Sequence, residues 1–337
     1  LEKRTWTPPQ LLELSGGYWS TCTLHAGVKL GVFTPLSGEP LAAQELAGRI
    51  NCDSRGLAML LNALAAMELL EKRGDAYAAT PFAAEYLSRT SPYYLGHIIM
   101  HHHHLMSGWA NLDKAVQSGA PIRERASHED VESSRESFLM GMFNLAMQIA
   151  PKIVPAIDLS GRRRLLDLGG GPGTYAIHFC QQNPELSAVI CDLATTRVFA
   201  EQTVERFGLS ERISFVERDF EAEDLPAGFD VAWLSHVLHG VGPQTCAAVL
   251  KKAVSALEPG GLILVQEFIL EDTRDAPLFP ALFSLNMLLG TPDGQAYSQG
   301  ELIAMLALAG ATDLRRIPLQ LPNGAGVIAG TVPGTGK

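Results

Sequence analysis

Cysteine and charge are scarce in this sequence, and bases are the scarcer sign. Five cysteines (Cys22, Cys52, Cys180, Cys191 and Cys246) are scattered over 337 residues. With no CxxC pair among them, a disulfide framework is not expected; reduced, mostly buried thiols in a cytoplasmic protein are. Only 18% of residues are charged, and acids outnumber bases to give a formal net charge of −10. Nucleic acid and anionic membranes reward clustered Lys and Arg, so neither is expected as a partner. No apolar run approaches the roughly 20 residues a bilayer span needs, and the N-terminus has no signal-peptide pattern. Internal repeats and low-complexity linkers are absent too. The 47% hydrophobic content suffices for a sizeable core, and the length suggests two domains.

The chain is written in two grammars. From Pro9 to about Leu159 apolar residues recur three and four apart, which predicts helices. Within this half, a short helix (Ala42–Arg49), a turn (Asn51–Ser54), a second helix (Arg55–Leu70) and a hairpin around Gly74-Asp75 (Lys72–Thr80) follow a winged helix-turn-helix plan, normally a DNA reader. A recognition helix needs side chains for phosphates and base edges. This second helix has one Arg, no Lys and apolar residues nearly all round, so it reads as a packing or dimerisation element.

After Gly161 strands alternate with helices, which predicts a parallel sheet covered on both faces. Candidate strands are Arg164–Leu168, Ala188–Asp192, Ile213–Val216, Val231–Ser235 and Leu262–Phe268. Helices are expected from near Tyr175, Thr196 and Thr245, then at Pro280–Leu289 and Ser298–Ala309. Asp313–Leu319 and Gly326–Thr331 read as a terminal antiparallel hairpin. The fold class is therefore α/β and Rossmann-like, a seven-stranded, mostly parallel sheet behind a helical N-terminal domain. The expected division is residues 1–105, connecting helices over 106–160 that line a substrate pocket, and 161–337.

The strongest motif is Leu165-Leu-Asp-Leu-Gly-Gly-Gly-Pro-Gly-Thr174, a buried strand ending in a glycine-rich turn. Gly169, Gly170, Gly171 and Gly173 let the backbone approach a ligand closely, at the sheet end where open α/β sheets bind. Dinucleotide enzymes use such turns as well, and Gly171-Pro-Gly173-Thr-Tyr-Ala176 satisfies G-x-G-x-x-A. Three acids favour S-adenosylmethionine (SAM). Asp167 can serve a cationic amino acid moiety, where a pyrophosphate would be repelled. Asp192, followed by Leu193, ends the second strand and suits ribose hydroxyls, as it would in an NAD enzyme. Asp219-Phe220 follows the third strand and offers a carboxylate and a ring to adenine. Each acid alone also reads as a helix cap or solvated turn residue.

His97 and His101–His104 are the oddest feature. Four consecutive helical residues face every direction, but His97, His101 and His104 share a face. A polar pocket lining, a solvated or interface helix and a metal site all remain open, and no metal cofactor is expected. Met140, Met142, Phe143, Phe279, Phe283 and Met287 are enough to line an aromatic pocket, and read equally well as core.

With these residues in view, the chain resembles the plant-type and bacterial small-molecule O-methyltransferases over nearly its whole length. The resemblance rests on Leu-Leu-Asp-Leu-Gly-Gly-Gly, on Asp230-Val-Ala-Trp-Leu-Ser-His-Val-Leu-His239, and on Glu258-Pro-Gly-Gly-Leu-Ile-Leu-Val-Gln-Glu267. It implies SAM as cofactor, a homodimer formed by the N-terminal domain, His239 as catalytic base and Ser235 as a cofactor contact. It also implies a pocket-closing helix at Phe138–Met147, with Met142 against the substrate ring. Phe143, His101, Phe283 and Met287 complete the expected acceptor set. Two departures matter: Gly240 stands where the family has Asp after the histidine. Ala296 fills the slot of an acid that steers it. The usual acidic support of the base is thus missing from its expected places.

The reaction this implies is methyl transfer to a hydroxyl of a small, aromatic acceptor. Three alternatives stay open: C- or N-methylation or a non-methylating reaction on the same fold, a SAM-responsive DNA-binding regulator, and an NAD dehydrogenase.

Overall fold

The computed structural model describes residues 5–123 and 132–334, with backbone alone at 132 and 133. It divides into two compact units, Leu1–Leu105 and Met106–Lys337.

The first unit contains α1 (Pro8–Gly16), α2 (Tyr18–Leu30), α3 (Phe33–Gly38), β1 (Leu41–Ala42), α4 (Ala43–Ile50), α5 (Ser54–Ala66), β2 (Leu70–Arg73), β3 (Ala76–Ala79) and α6 (Pro81–Leu87). Asn51, at φ 53°, closes α4, and Asp53 caps α5 by accepting the Gly56 N–H at 2.7 Å. The expected second helix ends earlier than its apolar pattern suggests. Leu70 pairs with Ala79 in the hairpin, so cross-strand bonds replace the last helical turn. Leu57, Leu61 and Leu64 of α5 enter a core with Leu36, Leu46 and Tyr77. By contrast α1 buries none of its residues. The helix α7 (Gly96–Trp109) carries the histidine run.

The second unit continues with α8 (Leu112–Ser118), α9 (Glu132–Ile153), β4 (Arg164–Leu168), α10 (Thr174–Gln182), β5 (Ser187–Asp192), α11 (Arg197–Arg206), β6 (Ile213–Glu217), β7 (Phe229–Ser235), α12 (Pro243–Ser255), β8 (Leu257–Leu270), α13 (Leu278–Gly290), β9 (Tyr297–Ser298), α14 (Gln299–Leu308), β10 (Thr312–Arg316) and β11 (Ala325–Thr331). The sheet runs β10-β11-β8-β7-β4-β5-β6, with the five strands β4 to β8 parallel and β10 and β11 antiparallel. The expected seven strands are all present; two-residue β9 adds an eighth by pairing with the end of β8. Both faces are covered. Cys246, Val249 and Leu250 of α12 pack with Leu302 and Leu306 of α14 on one side. Ile153 of α9, Phe179 of α10 and Val204 of α11 pack on the other.

Ser134–Ala156 is long and apolar enough to cross a membrane by length and composition. A search for unbroken apolar runs passes over it because Asn144 and Gln148 interrupt the stretch. Its Ala150, Ile153 and Val154 are core residues of the second unit. The five cysteines are free thiols, three of them buried. Burial pushes Cys191 up to about 12, out of reach of ordinary thiol chemistry.

Candidate active site

The chain runs β4, β5, β6 to one side of the sheet and then returns with β7 on the other side of β4. Such a reversal opens a crevice at the carboxyl ends of the strands. The glycine turn after β4 and the segment Ser235–His239 after β7 both lie at that end.

In the turn, Gly169, Gly171 and Gly173 have φ of 65°, 53° and 79°, a region that costs nothing only for glycine. Gly170 is required for space: a Cβ there would lie 2.6 Å from the Asp167 carboxyl carbon. The turn therefore folds directly over that carboxylate. Asp167 is buried, and its Oδ2 accepts the Ala176 N–H at 3.3 Å. Its Oδ1 is buried with no hydrogen bond. Burial pushes the carboxyl up to about 7; the Ala176 N–H works against this and the Asp192 charge adds to it. A buried carboxylate with an unpartnered oxygen under a glycine cradle matches the cationic amino group of SAM.

Asp192, at the end of β5, braces the same turn. Its Oδ2 accepts the Gly171 N–H at 2.8 Å, and its Oδ1 accepts the Leu193 N–H at 2.7 Å and the Thr196 hydroxyl at 3.2 Å. Asp219 is exposed and acts as a turn cap, its Oδ1 accepting the Glu221 N–H at 3.0 Å. Phe220 is half-buried; its Cε1 lies 3.5 Å from where a Cβ on Gly169 would sit, so its ring borders the cradle.

Beyond β7, the register Ser235↔Gln266 places β8 alongside, and the Ser235 hydroxyl lies 3.1 Å from Gln266 Oε1. His236 follows at φ 55° and donates its N–H to the Gln266 carbonyl at 2.9 Å. A short 3-10 turn, Leu238–Gly240, then presents His239. Glu267, buried on β8, binds this turn at both oxygens. Oε1 accepts the N–H groups of Leu238 and His239 at 2.9 and 3.2 Å, and Oε2 lies 2.8 Å from His239 Nδ1. The same Oε2 lies 3.5 Å from His236 Nδ1. Burial raises the Glu267 carboxyl, but the charges of His239 and His236 and the close contact with His239 outweigh this and hold it well below the usual carboxylate range. An ionised carboxylate only accepts, so Nδ1 of His239 carries the hydrogen and Nε2 is left as a proton acceptor.

Aromatic rings wall this corner. Phe283 meets His239 edge-on at 4.7 Å between centroids, and Phe268 lies 4.8 Å from both Phe283 and Phe279. Met287, one turn beyond Phe283 on α13, is buried.

Residues 111–312 match the model of the O-methyltransferase domain, and residues 12–89 match that of the O-methyltransferase dimerisation domain. The chain belongs to the O-methyltransferase family. It is 35% identical to the 3-hydroxy-5-methyl-1-naphthoate 3-O-methyltransferase of Streptomyces sahachiroi, over 96% of this chain and 95% of that protein. It is 31% identical to the tetracenomycin polyketide synthesis 8-O-methyl transferase of Streptomyces glaucescens, over 94% and 95% of the two chains. Among solved structures, human N-acetylserotonin methyltransferase in complex with SAM superposes with a TM-score of 0.83 at 26% identity, covering 99% of each chain. This O-methyltransferase is thus a SAM-dependent enzyme.

The O-methyltransferase fold brings together the expected cofactor residues Asp167, Gly169, Gly170, Gly171, Gly173, Asp192 and Leu193, with Phe220 beside them. It likewise joins His239 to Phe283. Asp219 takes the turn-cap role that its sequence left open. Phe143 is not part of the aromatic wall: its ring packs against Phe207 at 6.4 Å and under the Arg206 guanidinium. Met142 is half-buried on the same helix. His101 is buried in the first unit. His103 there contacts Lys29 at 3.1 Å and stacks edge-on against His25, and among the described residues His97, His101 and His104 form no three-donor cluster.

The acid missing at Gly240 and Ala296 is supplied from another place. Glu267 binds the histidine, 28 residues later in the chain and one strand across. Its sequence signal was the pair Gln266-Glu267 inside the otherwise apolar run Leu262–Leu270. A buried charge in a central strand needs a partner. Ala296 is buried and its N–H donates to Ser284 at 3.1 Å, so no side chain reaches His239 from there.

Proposed function

We propose that this enzyme methylates a hydroxyl of a small aromatic molecule, with His239 as general base. The observation that carries the reading is the 2.8 Å contact between His239 Nδ1 and the buried Glu267 carboxylate. The naphthoate and polyketide enzymes among its relatives support an aromatic acceptor.

SAM supplies an activated methyl group with a good leaving group; the chain's own work is to bind, align and take up a proton. Asp167 holds the amino group, and the Gly169–Gly173 turn gives close backbone approach. Asp192 and Leu193 hold the ribose side, with Phe220 and the Asp219 turn at the base. Ser235 contacts the cofactor from the end of β7. Phe283 and Met287, with Met142, position the acceptor ring. A phenol of pKa about 10 is mostly protonated near neutrality, so a histidine at its oxygen removes the proton as the new bond forms. Positioning contributes up to about 7–11 kcal/mol in favourable cases, and a general base about 10²–10⁴-fold.

We also infer a homodimer. Trp6, Leu11, Leu12, Leu14, Tyr18 and Trp19 are all exposed within a short N-terminal stretch, an apolar face that a second copy would cover.

Turnover with trideuteromethyl-labelled SAM and a panel of naphthols and hydroxylated polyketide aromatics tests the reaction. Product mass spectra are expected to place the label on oxygen. Label on carbon or nitrogen, or none transferred, would overturn the proposal.

A further inference from the structure

We propose that His236, His239 and Glu267 form a binding site for a borderline divalent cation, Zn²⁺ foremost, whose occupancy switches methyl transfer off. Among the described residues this is the one group of His, Cys, Asp or Glu side chains whose donor atoms converge, all within 4.8 Å of one another. Two imidazoles and a carboxylate are a donor set that zinc accepts, with a fourth position left to water.

The geometry is nearly assembled. Glu267 Oε2 already lies between the two rings, 2.8 Å from His239 Nδ1 and 3.5 Å from His236 Nδ1. The second of these contacts is not a hydrogen bond: His236 Nδ1 is buried with none. Zinc–nitrogen and zinc–oxygen bonds of about 2.0–2.2 Å set tetrahedral donors roughly 3.3 Å apart, so small side-chain rotations complete the site. His236 is aimed here by a left-handed backbone (φ 55°) that a non-glycine residue adopts at a cost. The Phe268 ring, 4.2 Å away, limits its swing. Gln266 Nε2 lies 3.3 Å from His236 Nε2, so a turn of this amide offers its oxygen to the ring's outer N–H, the support that zinc-bound histidines have. The imidazoles are partly exposed (22% and 14%) and Glu267 is not, so an ion enters from the side of the rings.

The consequence follows from tautomers. A neutral imidazole that gives its Nδ1 lone pair to a metal carries its hydrogen on Nε2. Each ring keeps one hydrogen, which moves from Nδ1 to Nε2. On His239 that converts the nitrogen facing the acceptor from a base into a donor. The site itself rests on the donor geometry. The switch rests on the proposed role of His239, so binding and inhibition are read separately.

Metal-stripped full-length protein is titrated with Co²⁺, whose visible absorption reports tetrahedral nitrogen and oxygen ligands, and then with Zn²⁺ to displace it. One ion per chain is expected, with affinity falling at least tenfold in His236→Phe and unchanged in His103→Ala, a control for the other histidine cluster. Zn²⁺ is expected to inhibit wild-type turnover reversibly, with chelator restoring it, and to need at least tenfold more metal in His236→Phe. Should that variant fail to fold, His236→Gln serves the same comparison. No stoichiometric cobalt spectrum, or equal affinity in wild type and variant, would overturn the site. Metal bound at these residues with turnover unimpaired would overturn the switch and count against His239 as base, while leaving the site standing.

Discussion

At the scale of residues, two buried carboxylates, Asp167 on β4 and Glu267 on β8, are driven in opposite directions. Glu267 is held ionised by two imidazoles and two backbone N–H groups. In Glu267→Gln the amide oxygen can still accept those N–H groups, while its NH₂ faces His239 Nδ1. The ring must then accept at Nδ1 and carry its hydrogen on Nε2, the wrong tautomer for a base. The variant is expected to lose about 10²–10⁴-fold in kcat while calorimetry finds adenosylhomocysteine affinity near wild type. Full activity would remove Glu267 from the mechanism. Asp167 is driven the other way, up to about 7 by burial. In the unfolded chain it ionises near its ordinary 3.8. Between those values the folded state holds a proton that the unfolded state has lost, so its contribution is present below about pH 4 and disappears as pH rises towards 7. The shift of about three units corresponds to roughly 4 kcal/mol. Thermal unfolding of cofactor-free protein is expected at lower temperature at pH 8 than at pH 5.5, with Asp167→Asn flattening that dependence. A cation bound at Asp167 favours the ionised form, so SAM affinity should rise over the same interval. Identical pH dependence in wild type and variant would contradict this account.

At the scale of elements, what was legible depended on whether the signal was local. Arg164–Leu168 was readable to the residue because an apolar run stops at glycines and a carboxylate sits inside its end. The other parallel strands were placed within a few residues. Leu257–Leu270 is longer than expected because Pro259, Gly260 and Gly261 look like a loop, yet the strand passes through them. The α5 helix is shorter than its sequence predicts, since Leu69-Leu70 continues its apolar pattern and only pairing with Ala79 shows where it stops. The partner of His239 was hidden for the same reason. It depends on the register between β7 and β8, which sets Ser235 beside Gln266 and brings Glu267 level with the Leu238–Gly240 turn. Nothing in either segment alone encodes that offset. Phe143 stays ambiguous in the sequence: an aromatic residue on a helix suits a pocket or a core equally, and the neighbours of its ring include Phe207 and Arg206.

At the scale of the whole molecule, association and chemistry make separate demands. The α1 helix buries none of its residues, and Leu12, Leu14 and Trp19 are 65–72% exposed. Replacing these three by Gln should cost the isolated fold little, since it removes no core contact. Light scattering is expected to find twice the chain mass for wild type and a single chain mass for the triple variant at equal concentration. A monomeric wild type would contradict the dimer. The central claim, however, is that His239 takes the acceptor's proton, and its most direct test varies the acidity of that acceptor. Methyl transfer by wild type and His239→Ala is compared across hydroxylated aromatics of one shape whose pKa runs from about 7 to 10, the upper value that of an ordinary phenol. The penalty for losing the imidazole should be small for the acidic acceptors, which arrive ionised, and should grow towards about 10²–10⁴-fold for the weakest acids. A penalty that is the same for every acceptor would contradict His239 as the base.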